Sequence, residues 1–203
     1  MNRTEQREKQ RWEILSAALD LFIKKGYAAT RIQDIAKAVG MSVGLLYHYF
    51  KSKEKLYEEL IKIGIAGPND FINANNDEPL AFFRSTLKNI FHLFKTQPFV
   101  TKMFLLMSPA ANNDGLPDSV KKLLADHDGI RPSVHIIKKG QRNGSIRKGD
   151  PVALSVAFWG AVSGIAELIA IYPDFPVPDS EWLIDILRSS KTQESSRKGA
   201  KTQ

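Results

Sequence analysis

The sequence predicts an all-α fold, and three observations carry that prediction. Apolar residues recur at intervals of three and four along most of the chain, as on the buried face of a helix, and no run of alternating β-branched residues competes with them. Start and stop signals punctuate the pattern. Ser42, Ser52 and Asp150 stand where a side chain caps free N–H groups, Pro79 and Pro151 suit a first helical turn, and Gly26 and Gly40 suit helix ends. The most apolar stretch, VALSVAFWGAVSGIAELIAIY, is far longer than a typical strand.

Composition narrows the function classes. Of 203 residues 43% are apolar, enough for a real core, and none is cysteine, which excludes disulfides, thiolate chemistry and cysteine-bound zinc. The start, MNRTEQREKQRW, is too polar for a secretory signal, so a cytoplasmic protein is expected. The net charge of +7 is uneven. Residues 1–66 hold 12 Lys/Arg against 8 Asp/Glu, residues 67–190 hold 13 against 13, and residues 191–203 hold 4 against 1. A basic head on a neutral body suggests a polyanion reader joined to a part with a different role. The expected organisation is a DNA-binding head over 1–66 including its connecting helix, a helical body over 67–190, and a disordered basic tail over 191–203.

Residues 5–25 form the first expected helix, with Ile14, Leu15, Ala18, Leu21 and Phe22 on one face and Gly26 closing it. Arg3, Arg7 and Arg11 lie ahead of that face; such a basic arm can reach phosphates, or it can simply be solvated. Thr30 with Gln33 fits a capping box, and Ile32, Ile35, Ala36 and Val39 give the second helix its apolar stripe. Gly40 ends that helix and Ser42 caps the next, so only Gly40 and Met41 separate them. Two helices so close must cross steeply, which is a helix-turn-helix. Ser52 then caps KEKLYEELIKIGIAG, expected to end at Gly64, Gly67 and Pro68.

Four groups of residues at fixed spacing stand out here: Thr30 with Ile35-Ala36, Val39-Gly40-Met41-Ser42, Leu46-Tyr47-His48-Tyr49-Phe50, and Lys53-Glu54-Lys55-Leu56. On these the segment resembles the DNA-binding core of the TetR family of bacterial transcriptional regulators. The resemblance covers about the first quarter of the chain and implies a helical ligand-binding and dimerisation body behind the head. It puts Tyr47, Tyr49 and Lys53 at positions that contact the DNA backbone. Base edges fall to Gln33, which can pair with adenine, and to Val43 and Leu45, which can touch a thymine methyl, with Gly44 admitting close approach. A Gln33 amide held in a capping box is not free for a base, so its two roles compete. With Thr30, Arg31 and Ser42 these residues make up the expected interface with double-stranded DNA. His48 fits a solvent-facing histidine.

In the body, Pro79 opens a helix with Phe83, Leu87, Ile90 and Phe94 on one stripe, Pro98 opens FVTKMFLLM, and a longer reading from Pro117 to about Arg142 breaks near Gly129–Pro132. The aromatic and methionine density fits either ordinary core or an apolar pocket with a few polar groups. A small-molecule effector is implied by the resemblance, and its candidate contacts are Phe83, Phe91, Phe104, Met107, His135, Trp159 and Glu167, with His92 and Asn112 as further polar groups. After Asp150-Pro151 the 21-residue apolar helix is long enough to span a bilayer, but it contains Glu167 and is the only such run, so no membrane role is expected. Ala153, Ala157, Gly160, Ala161 and Gly164 form a small-residue seam on it. With Leu168, and with Trp182 and Ile186 from a last helix over 179–189, that seam is the expected interface of a two-fold homodimer.

The expected function is a ligand-responsive regulator, most often a repressor in the family it resembles, bound to a palindromic operator and released by a small apolar molecule. The alternative is a DNA-binding dimer whose body takes a protein partner. An enzyme is not expected: there is no GxSxG, glycine-rich phosphate loop or HExxH, and Asp126-His127-Asp128 is a lone triplet. No catalytic residue, metal site or cofactor is assigned.

Overall fold

The computed structural model describes residues 2–72, 78–110 and 113–190, and the side chains of 67–72 fall outside that description. Ten α-helices are present among the described residues: α1 (Arg3–Ala29), α2 (Ile32–Ala38), α3 (Val43–Tyr49), α4 (Lys53–Ile72), α5 (Pro79–Thr96), α6 (Pro98–Ala110), α7 (Asp118–Ala125), α8 (Val134–Asn143), α9 (Pro151–Ile171) and α10 (Ser180–Leu187). The all-α expectation holds. Asn112 and the tail over 191–203 lie outside the described residues.

Most boundaries follow the local chemistry. Ser42 accepts from Leu45 N, Ser52 from Lys55 N, and Asp150 from Val152 N and Ala153 N. Between α2 and α3, Gly40 takes φ +66, a left-handed conformation that a Cβ would strain. Three expectations are corrected. Helix α1 begins at Arg3 under a capping box of Asn2 and Glu5, and it resumes after the Gly26 kink to reach Ala29. Helix α4 passes Gly64, Gly67 and Pro68 and ends at Ile72, because a proline deprives a helix of one N–H without forbidding its continuation. Thr30 does not cap α2, which starts from Arg31 with no side-chain cap.

The chain folds as two compact units, and they are not contiguous in sequence. The first comprises residues 1–67 and 99–127, the second 68–98 and 128–203. The expected division into 1–66 and 67–190 therefore misses that α6 and α7 pack with the head. Met103 and Leu106 of α6 and Val120 of α7 share one core with Leu15, Leu19, Leu46, Leu60 and Ile61. Polar contacts support the same packing: Lys102 pairs with Asp20 at 2.6 Å, Ser119 donates to Glu54 at 2.5 Å, and Trp12 meets Phe99 edge-on at 5.6 Å. An apolar sequence stripe names the face that is buried and not its partner, so this docking was invisible in the sequence.

In the second unit α5 packs on α8 and α10, and α9 on α8 and α10. Phe82, Phe83 and Phe158 form its aromatic centre, with rings 4.9–5.2 Å apart in edge contacts. Arg84 of α5 pairs with Glu181 of α10 at 2.6 Å, and this hydrogen bond holds the Glu181 carboxyl below its ordinary value; Arg188 joins the same carboxylate. Gly140 is required by close approach, since a Cβ there would lie 2.5 Å from Ile146 Cδ1. That approach lets Arg147 N donate to Leu187 O at 2.8 Å, tying the loop after α8 to the end of α10.

Candidate nucleic-acid interface

The reading surface is built from the inside outward. Ile32, Ile35 and Ala36 of α2 and Leu46 and Phe50 around α3 are buried, and they fix the crossing of the two helices. Their opposite faces are left for solvent. Arg31, Gln33, Ser42, Gly44 and His48 are exposed, Leu45 and Tyr47 are 43% and 41% exposed despite their size, and Val43 is half-buried. The first turn of α3 carries no charge and projects small and apolar groups, the chemistry that touches base edges and thymine methyls in a major groove. Because no capping box forms at α2, the Gln33 amide has no hydrogen-bond partner among the described residues. The competition between cap and reader is thereby removed.

Three residues expected at the interface have other engagements. Thr30 is buried, and its hydroxyl donates to Gly26 O at 2.7 Å and Leu21 O at 3.2 Å, closing the end of α1. Tyr49 is half-buried and donates its hydroxyl to Gln10 Oε1 of α1. Lys53 Nζ donates to Tyr27 O at 2.8 Å and Thr30 O at 3.0 Å and lies 4.2 Å from the Tyr27 ring centroid, with burial lowering its pKa. Its ammonium thus satisfies carbonyls left over at the end of α1. Lys53→Met is expected to cost about 1–3 kcal/mol of stability in a urea melt, with the salt dependence of DNA binding unchanged. A reduced salt slope at unchanged stability would restore the phosphate role.

The residues expected around an effector separate into two groups. Phe104 and Met107 belong to the first unit, while Phe83, Phe91, His135, Trp159 and Glu167 belong to the second. Phe83 is fully buried with its ring on Phe158, and Phe91 is buried beside Phe94. His135 is exposed, and Glu167 is half-buried. Trp159 Nε1 donates to Ser133 Oγ at 3.0 Å, Ser133 and Ser155 share a hydrogen bond at 2.7 Å, and Ser155 Oγ donates to Ile130 O at 2.9 Å. This buried hydroxyl network was not read from the sequence. Its signal was there: a serine four residues before a tryptophan inside the most apolar helix needs a polar partner when buried.

The expected dimer seam is open. Helix α9 buries one stripe, Ser155, Phe158, Val162, Ala166 and Ile169, and leaves Ala153, Ala157, Gly160, Gly164 and Leu168 exposed, with Ala161 half-buried. Among the described residues, a Cβ built at Gly160 or Gly164 meets nothing within 4 Å. On α10, Trp182 is 68% exposed and Ile186 half-buried. Among the described residues, α9 is thus only partly covered by the rest of the chain. By length and composition α9 is also apolar enough to cross a membrane.

Comparison with known proteins agrees with the head. The family described as bacterial regulatory proteins, tetR family, matches residues 14–60. The transcriptional repressor KstR2 of Rhodococcus jostii is 43% identical over 53 residues, 26% of this chain and 26% of its own. The chain therefore spans about a quarter of that relative's length. The transcriptional regulator RutR of Escherichia coli is 27% identical over 161 residues, covering 76% of this chain and 72% of its own. Among solved structures, the MbdR regulator from Azoarcus sp. CIB superposes with a TM-score of 0.67 at 24% identity over 86% of this chain and 94% of its own. The TetR family regulator PfmR from Thermus thermophilus gives 0.60 at 24% over 87% and 98%. These likenesses show a shared helical fold. The likeness to the bacterial regulatory proteins of the tetR family is thus carried by residues 14–60.

Proposed function

We propose that the protein is a cytoplasmic transcriptional repressor that binds a palindromic operator as a homodimer and is released by a small apolar molecule. The observation that carries the reading is the exposed, uncharged first turn of α3 beside an unengaged Gln33 amide, on helices whose other faces are buried. A two-fold dimer would present two such surfaces to half-sites about 34–36 Å apart or a multiple of that. The apolar face of α9 and α10, with two glycines facing open space, supports the dimer. An effector would act by preferring the body conformation whose head spacing mismatches the half-sites, and only by its difference in affinity for the two states. The names of the relatives, repressors and regulators, support regulation over catalysis.

One observation favours the second reading, a protein partner in place of an effector. Phe83, put forward as a ligand contact, is fully packed against Phe82 and Phe158.

The test is operator selection from random duplexes followed by two substitutions. Tyr47→Ala should weaken binding to every sequence while leaving the salt slope unchanged, because a neutral phenol hydrogen-bonds a phosphate without displacing a counterion. Gln33→Ala should relax preference at one position per half-site, worth about 1–3 kcal/mol against the wrong base. An unchanged preference profile would remove Gln33 from the reading surface.

A further inference from the structure

Arg3, Arg7 and Arg11 stand four residues apart on α1, so they share one face of a helix that is formed from Arg3 onward. Arg11 is held within the fold, since its Nη2 donates to Glu59 Oε1 at 2.7 Å and its guanidinium lies 5.0 Å from the Phe50 ring centroid. Arg3 and Arg7 are exposed and make no side-chain hydrogen bond or ion pair among the described residues. Arg11 thus fixes the face, and two unpaired guanidinium groups continue it.

The same face borders an open groove of about 730 Å3 lined by Arg3, Arg7, Glu8, Gln10, Arg11 and Tyr49. Tyr49 connects it to the end of α3. Its hydroxyl proton goes to Gln10 Oε1, so the phenol is already engaged as a donor, and the Gln10 amide is oriented with its two N–H groups unengaged. The donors lining the groove include the Arg3 and Arg7 guanidinium groups and the Gln10 amide, with the Thr4 hydroxyl and the Gln6 amide beside them, a set suited to phosphate oxygens.

We propose that the first two turns of α1 form a second phosphate-binding strip, Arg3, Arg7 and the Gln10 amide, which grips the DNA backbone beside the groove entered by α3. The strip rests on the reading of α2 and α3 as the DNA-binding surface and extends it. Charge complementarity and continuity through Tyr49 select duplex DNA as its occupant. Glu8 opposes the phosphates and tempers the attraction. The phosphate contact that the family resemblance gives to Tyr49 passes in this chain to its partner Gln10.

The test uses the full chain and a mixed-sequence duplex of about 40 base pairs, with affinity measured between about 50 and 200 mM salt. The Arg3→Ala/Arg7→Ala double variant should lower the salt slope by about 1.8, so that wild-type affinity falls about 12-fold further than the variant's across that range. A charge-matched control, Lys138→Ala/Lys148→Ala, alters exposed lysines of the second unit. It should keep the wild-type slope, and Glu8→Gln should tighten binding. A double variant whose slope equals the control's would overturn the strip while leaving the α3 surface intact. Wild-type protein with no salt-dependent binding to the duplex would instead overturn the head reading and the strip with it.

Discussion

If the proposed homodimer forms through the α9 seam, Gly164→Leu is expected to leave a well-folded monomer and to remove that dimer. Within the chain the substitution is benign: a Cβ at Gly164 meets nothing within 4 Å among the described residues, and glycine is the poorer residue in a helix interior. Leucine should raise the stability of the isolated subunit by up to about 1 kcal/mol. Across a small-residue seam the effect reverses, since an added side chain holds the two backbones apart. Overpacking costs about 1–3 kcal/mol per site, and a two-fold axis counts it twice. The dimer dissociation constant should then rise about 30-fold to more than 10,000-fold, and operator affinity should fall with it. Sedimentation at micromolar concentration reads the loss of the dimer, and a urea melt reads the stability of the subunit. A normal dimer would place the interface away from α9.

Phe158→Ala is the substitution expected to cost the most stability. The side chain is fully buried, with ring centroids of Phe83 and Trp159 at 4.9 and 5.1 Å in edge contacts. Its removal leaves a cavity among rigid rings that cannot easily collapse, at a cost of about 3–5 kcal/mol. That is a large share of the roughly 5–15 kcal/mol that holds a typical domain. A urea melt checks the value, and a loss under about 1 kcal/mol would mean that the neighbouring rings close the gap. Small apolar molecules that restore the variant's thermal stability would report only the cavity the substitution creates; the effector reading gains where such molecules raise the thermal stability of the unsubstituted chain.

Much of the helix-turn-helix was legible because it is local. The Ser42 cap and the left-handed Gly40 lie within four residues of what they determine, and so does the Asp150 start of α9. Thr30 marks where that reading ended. Its sequence context fits a cap for α2, yet its hydroxyl turns back to Gly26 O and Leu21 O, because the buried Thr30 hydroxyl needs an acceptor and the kink of α1 supplies one. The engagement of Lys53 is likewise non-local: the Tyr27 and Thr30 carbonyls and the Tyr27 ring that hold its ammonium lie more than 20 residues away. The resemblance located its position and could not report its neighbours.

The sequence by itself determined the all-α class, the position of the two head helices and the apolar excess of α9, since each depends on periodicity and caps within a few residues. Only the tertiary structure decided which surfaces stay open. It packed α6 and α7 with the head, freed Gln33 by withholding a cap, engaged Tyr49 with Gln10, and left Gly160 and Gly164 facing empty space. The physical reason is that a side chain's reach for a hydrogen bond or a packing partner depends on distance in space, which the chain's order does not encode.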